Sequence, residues 1–335
     1  MPNLESRLRE WLQHSVGAAE RLDAVVVKTT RYLRLSMVAL VIGLAVAILY
    51  EYSKSRPMGG GSEHCWQHSI SAYYYTPVQL FFVGSLVAIG VSLIALKGST
   101  ELEDVFLNFA GILAPVVAFV PTPNIGRCGP ILTDAKNRAD NISNNVNALL
   151  AMAAFAFVVL GVLKLLNRPV TGVPVPTAHV NEAAAHRIAV VGYAVALGLY
   201  VAATVVFYVN REWFSDKAHW IAAITMFVFI WFVVLSNAFN FSFTRAEVVT
   251  NQTASGGAGE AKPAMPVNRY AVIAIAMPAA ALFIFLMPFF GDYRAIWLEA
   301  TMIMLFAIFW VIQTHELWNQ GLRTPDAGVT PAQAM

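Results

Sequence analysis

Apolar residues run through this chain in long blocks separated by short polar segments, and the length of those blocks is the first clue to the fold. Windows of about 20 apolar residues fall at approximately residues 35–52, 78–97, 104–122, 145–166, 188–208, 219–240, 270–290 and 296–314. A helix of that length crosses the hydrocarbon core of a bilayer with every backbone amide satisfied internally. The pattern therefore predicts an all-α fold, a polytopic membrane helical bundle of about eight transmembrane helices. Pro115 in the third window, and Pro278 and Pro288 in the seventh, predict kinks in both.

Ahead of the first window the period shortens. Leu4, Leu8, Trp11, Leu12, Ala19, Leu22 and Val26 recur mostly at helical spacing among Arg7, Arg9, Glu10, Glu20 and Asp23, which predicts an amphipathic helix. Such a helix is a candidate for lying on membrane lipids or for oligomerisation, and equally for a solvated lead into the first span. The chain thus divides into a cytoplasmic helix at 1–34, a transmembrane domain at 35–315 and a flexible tail at 316–335. The connections at 167–187 and 241–268, rich in proline and in glycine and alanine respectively, read as linkers.

Orientation follows from Lys and Arg. With the amino terminus inside, the inner segments hold most of the 22 basic residues, six of them (Arg7, Arg9, Arg21, Lys28, Arg31, Arg34) ahead of the first span. Both termini are therefore expected in the cytoplasm. The first 34 residues are charged throughout, so no removable signal peptide is expected.

Composition agrees with a membrane protein: 58% of the 335 residues are hydrophobic and 13% charged, with a mean hydropathy of +0.60. The net charge of +2 is spread over 22 basic and 20 acidic residues, leaving no single-signed field of the kind nucleic acid requires. The chain has 2 cysteines, Cys65 in the loop after the first span and Cys128 in the loop after the third. Odd-numbered spans exit to one side, here the outside, where disulfides persist, so the two thiols are expected to pair.

Candidate chemistry gathers on that outer side. Residues 63–77 hold His64, Cys65, Trp66, His68 and the triplet Tyr73-Tyr74-Tyr75 just before the second span. Glu51 ends the first span, Asn144, Asn145 and Asn147 open the fourth, His219 opens the sixth and Glu299 lies about a turn inside the eighth. Ionisable groups inside spans are functional candidates by default, and a carboxylate such as Glu299 in an apolar helix needs a partner or a raised pKa. Together they predict an outward-facing polar pocket, with His68, His219, Glu299, Tyr74 and Asn145 as ligand contacts. The tyrosines also suit an interfacial belt, and Thr76-Pro77 suits a helix N-cap followed by proline. His64 and His68 stand four apart, the spacing that puts two imidazoles on one helical face, and with His219 they are candidate zinc ligands. A hydrogen-bonded polar cluster is the alternative. Asn108, Ser85, Ser92, Ser236 and Asn237 read as hydrogen-bonding contacts between spans.

The segments Ser69-Ile70-Ser71-Ala72-Tyr73-Tyr74-Tyr75-Thr76-Pro77, Phe82-Val83-Gly84 and Trp297-Leu298-Glu299-Ala300 resemble those of multi-pass membrane proteins of actinobacteria that carry no assigned activity. The resemblance implies a bacterial plasma membrane and supplies no mechanism. More distantly, the chain is similar to the alkaline-ceramidase and adiponectin-receptor class of membrane zinc hydrolases, which use three His, an Asp and a Ser. That class has a His pair in its last spans, whereas the eighth span here has no His before His315.

Three functions compete. One is binding or transport of a small molecule or lipid through the outward pocket; another is a zinc-dependent hydrolase cutting a lipid ester or amide with Glu299 as general base. The third is a structural membrane subunit without a small ligand.

Overall fold

The computed structural model describes residues 4–133, 135–166, 182–254 and 268–318. The tail beyond 318, residues 167–181 of the first proposed linker and 255–267 of the second lie outside these residues; residues 241–254, expected as linker, continue a helix.

The described chain is helical apart from loops and one two-stranded ribbon. The helices are α1 (Leu4–Lys54), α2 (Gln79–Ala95), α3 (Glu101–Phe119), α4 (Ala135–Leu165), α5 (Glu182–Val209), α6 (Arg211–Ala254), α7 (Arg269–Leu286) and α8 (Arg294–Glu316). Among the described residues, seven of these are long and apolar enough to cross a membrane, and α2, at 17 residues, is a shorter apolar helix. The amphipathic segment and the first span form one unbroken helix, α1.

Pro115 and Pro278 lie inside continuous helices. Pro288 does not: α7 ends at Leu286, and residues 288–293 make a 3-10 turn leading into α8. A proline cannot donate to the preceding turn, so the expected seventh span stops short of 290. At its other end α7 is capped by Asn268, whose side chain accepts from the amides of Tyr270 and Ala271.

The core lies among α1, α2, α3, α6, α7 and α8, around Met37, Leu93, Leu107, Ala110, Val234, Tyr270 and Phe309. Helices α2 and α3 approach most closely at Gly90 and Gly111. A Cβ on Gly90 would stand 2.7 Å from the Gly111 carbonyl oxygen, and one on Gly111 would stand 2.6 Å from that of Gly90, so only glycine permits this backbone contact. Close packing of this kind holds helices together where lipid removes the hydrophobic drive for association. Helices α4 and α5 are peripheral, with 6% of each spanning window buried, against 50% for α3.

Two loops meet at one end of the bundle. Cys65 and Cys128 form a disulfide with a Cα–Cα distance of 5.7 Å. Alongside it β1 (Arg56–Pro57) pairs antiparallel with β2 (Cys128–Gly129), matching Arg56 to Gly129 and Pro57 to Cys128. The segment after α1 is thereby fastened to the segment after α3, and together they cap the bundle.

Candidate functional site

Residues 63–77 fold as a strap across the capped end. The strap's own backbone explains what it needs: Ser71–Tyr75 form a short 3-10 helix, whose first amides have no partner within the turn. Glu299, in the second turn of α8, supplies the acceptors. Its carboxylate accepts from the Ile70 amide at 2.5 Å, the Ser71 amide at 3.4 Å and the Ser71 hydroxyl at 3.1 Å. A negative charge at the amino end of a helix also opposes the local dipole favourably. The exchange runs both ways, because the Ile296 amide, unsatisfied in the first turn of α8, donates to the His68 carbonyl at 3.0 Å.

The remaining cap contacts share this logic of side chain to backbone. Buried Gln67 donates from Nε2 to the Cys128 carbonyl at 2.9 Å and accepts the Arg127 amide on Oε1 at 3.0 Å. This clasp requires Gly126, which has φ +100° and would place any Cβ 2.3 Å from Gln67 Oε1. Tyr75 donates to the Thr122 carbonyl at 2.6 Å. Arg138 of α4 donates to the carbonyls of Ser215, at 2.5 Å, and Pro121, at 3.4 Å.

The tyrosines do not form an exposed belt. Tyr73, Tyr74 and Tyr75 are all buried, packed with Ile70, Val78, Phe82 and Ile296. Burial pushes the Tyr73 and Tyr75 hydroxyls up to about 12, which favours their neutral form. Because the triplet is wound into the 3-10 turn, α2 starts at Gln79, with Val78 at its N-cap position. Thr76 instead closes the turn, donating to the Tyr73 carbonyl at 2.8 Å and accepting the Val78 amide at 3.3 Å.

The histidines occupy three different settings. His64 is exposed, with Nδ1 2.9 Å from Arg56 Nη1. His68 is half-buried within the strap; burial foremost, then Arg127, hold its pKa below the ordinary value, against the opposing pull of Asp292. His219 is fully buried, and its Nδ1 lies 2.7 Å from the carbonyl of Val120, the C-cap residue of α3. Residues 64–70 are not helical, so the four-residue spacing does not put His64 and His68 on one face. Among the described residues no three His, Cys, Asp or Glu side chains are placed to hold a metal ion, and the zinc set does not assemble.

Glu299 and His219 hydrogen-bond to different segments. Glu299 serves the strap beside the tyrosine cluster, whereas His219 serves the exit of α3, beside a second cluster of Val120, Ile142, Phe207 and Phe214. Asn145 is half-buried on α4, and its neighbour Asn147 makes the bond between helices, accepting from Tyr208 Oη at 2.5 Å. The groups expected to share one outward pocket are therefore distributed over separate structural contacts.

A second polar cluster lies at the opposite end of the bundle. Arg34 of α1, Glu103 of α3, Asn237 of α6, and Trp310 and Gln313 of α8 are 3%, 2%, 0%, 2% and 2% exposed. Asn237 Nδ2 donates to Glu103 Oε1 at 2.7 Å, and Gln313 Nε2 donates to Asn237 Oδ1 at 2.9 Å. Glu103 Oε2 accepts the Ser99 amide at 2.9 Å, while Lys97 pairs with Asp104 at 2.5 Å. A narrow recess opens among Arg34, Lys97, Ser99, Glu103, Trp310 and Gln313. Trp310 Nε1 and Gln313 Oε1 have no hydrogen-bond partner among the described residues.

The chain matches no protein-family model, no curated protein and no solved structure.

Of this cluster only Asn237 is singled out by the sequence, as a contact between spans. One local signal was available. Thr100 and Glu103 stand at capping-box spacing; the Thr100 side chain accepts the Glu103 amide at 3.2 Å while Glu103 reaches back to Ser99. That pattern places Glu103 on the first turn of α3, inside the bundle.

Proposed function

We propose that this chain is a bacterial plasma-membrane protein with eight spans and both termini in the cytoplasm, which binds or transports a small polar molecule through the recess at its cytoplasmic end. The observation that carries the reading is the buried cluster of Arg34, Glu103, Asn237 and Gln313, contributed by four different helices. Ionisable and amide groups brought together inside a membrane bundle are costly, and they mark ligand or ion pathways.

The span count rests on the cap. Because the ends of α1 and α3 meet at the disulfide, the chain between them must run away and return. α3 is long enough to cross, and α2 lies against it at Gly90 and Gly111. Seventeen residues of helix extend about 26 Å, close to the hydrocarbon thickness of about 30 Å, so α2 supplies the eighth crossing. An even number of spans puts both termini on one side, and the basic residues preceding the first span put that side inside.

Two measurements test this. The native cysteines are joined and silent, so Ser99→Cys is expected to react with a membrane-impermeant maleimide in inside-out vesicles only, and Glu63→Cys in right-side-out vesicles only. The reverse pattern overturns the orientation. Purified protein screened against small polar metabolites is expected to be stabilised by at least one, by about 2.7 kcal/mol at 100 times its Kd, with the effect lost in Trp310→Phe. A screen without any such compound counts against the binding reading.

A further inference from the structure

Glu103 and Glu299 both accept hydrogen bonds on each carboxylate oxygen, and they differ in what their donors can do. Glu103 accepts from Asn237 Nδ2 at 2.7 Å on one oxygen and from the Ser99 amide at 2.9 Å on the other. Neither partner reverses: a backbone amide only donates, and Asn237 Nδ2 is held in place by the Val233 carbonyl at 2.9 Å. A proton on either oxygen at these contacts would face an N–H rather than an acceptor.

Glu299 is built differently. Its Oε2 also faces amides, those of Ile70 and Ser71, but its Oε1 faces the Ser71 hydroxyl at 3.1 Å. A hydroxyl carries one donor and two acceptor lone pairs and rotates to suit its partner. When Oε1 takes a proton, the Ser71 hydrogen turns away and Oγ accepts the new O–H, while Oε2 continues to accept both amides. One proton is gained, and both strap amides keep their acceptor. The residue is half-buried at the capped end, so the proton arrives from that side. We infer that Glu299 and Ser71 form a proton-binding site of the cap, which takes up and gives back one proton with the strap closed. The inference stands on the cap and is independent of the recess.

The ionisable groups around the site leave this carboxylate to the strap. The strap itself carries His68 and Tyr73, α1 carries Glu51, the loop before β2 carries Arg127, and the segment leading into α8 carries Asp292 and Arg294. The side chains of α2 in this cluster are apolar, and α7 has its ionisable residues, Arg269 and Tyr270, at the opposite end. Among the described residues the hydrogen-bond partners of the Glu299 carboxylate are Ile70 and Ser71 alone.

The test is infrared difference spectroscopy on the purified full-length protein in detergent between about pH 8 and 4, a range that spans the ordinary titration of glutamate. Wild type is expected to gain a protonated-carboxyl C=O band that is missing from Glu299→Gln. In Ser71→Ala the O–H loses its acceptor, and the band is expected to move to higher frequency. Should Glu299→Gln fail to fold, that shift carries the assignment. Hydrogen exchange over residues 63–78, corrected for intrinsic rates and followed in His68→Gln to remove the histidine, is expected to stay flat across the same range. A wild-type spectrum equal to that of Glu299→Gln, or a band unmoved in Ser71→Ala, overturns the site. So does exchange in His68→Gln that quickens as the band grows, because the proton would then open the strap instead of being held beneath it.

Discussion

The two ends of this bundle use the same residue types to opposite effect. At the capped end Glu299, Gln67, His219, Tyr75 and Arg138 end mainly on backbone groups; at the recess Glu103, Asn237 and Gln313 end largely on one another. The difference comes from what lies beside them. Loops and helix ends have amides and carbonyls that must be satisfied somewhere, so a polar side chain arriving there is absorbed into the structure. Inside the bundle the helix backbone is already satisfied, and side chains must pair among themselves. Such a relay has a last member, and here the last member faces a recess.

Cutting the disulfide separates the two ends most forcefully. Cys65→Ser with Cys128→Ser opens a loop closed over a separation of 63 residues, which the entropic model values at about 4 kcal/mol. Denaturant titration in mixed micelles is expected to show a loss of that order. Hydrogen exchange is expected to rise over residues 63–78 and to stay unchanged over 97–107. Equal loosening at both ends would show that they are one cooperative unit.

Next in size is Glu299→Ala, which strips acceptors from two strap amides and one hydroxyl. Hydrogen bonds to a charged group are worth about 1.5–3 kcal/mol each, and water re-entering the cap recovers part, so a net loss of about 3 kcal/mol is expected. If Glu299 were a ligand contact first, ligand binding would fall with little change in strap exchange; the cap assignment predicts the reverse.

The recess gives the third effect. Asn237→Leu matches the volume and leaves Glu103 Oε1 and Gln313 Nε2 without their shared partner, at an expected cost of about 2 kcal/mol. Because the relay ties α3, α6 and α8 together, exchange over residues 97–107 should quicken in this variant while exchange in the cap stays at the wild-type level.

How far these regions were readable beforehand follows the same physics. Apolar windows set the positions of the helices, since burial in lipid needs little more than length and composition. Two cysteines in loops on one side were enough to anticipate their bridge. The demand that Glu299 find a partner was also readable, but not the partner, because backbone amides carry no sequence label. The strap hid its geometry for the same reason: a His-x-x-x-His spacing means a shared face only if the segment is helical, and this one is non-helical, tied down by Gln67 and the disulfide. At the recess Arg34 fell just outside the first hydrophobic window and was counted among the basic residues ahead of it, Glu103 lies one residue before the third window, and Gln313 sat at the end of the last span, where polarity attracts little notice. Only their convergence from four helices makes them a site, and convergence is a tertiary property.

The smallest expected effect is a dependence of the cap on pH, from His68. Burial and the neighbouring Arg127 favour its neutral form, so the folded cap binds a proton less readily than the unfolded strap, whose His titrates near the ordinary value of about 6.5. The unfolded state then holds more protons in the acid range, and stability rises with pH there. The contribution is fully present above about 6.5, and it declines as the pH falls through that value toward the lower folded one. Glu299 also meets the strap, so acidification alone does not isolate the histidine. His68→Gln does, because the carbonyl that binds the Ile296 amide is retained in any variant and only the titrating ring is lost. Exchange over residues 63–78, corrected for intrinsic rates, is expected to quicken between about pH 7.5 and 5.5 in the wild type and to flatten in the variant. The same acidification should leave exchange over 97–107 unchanged, since no histidine lines the recess. A pH response that survives His68→Gln would move the sensor to the carboxylate of Glu299, and the clamp itself would then be the titrating element.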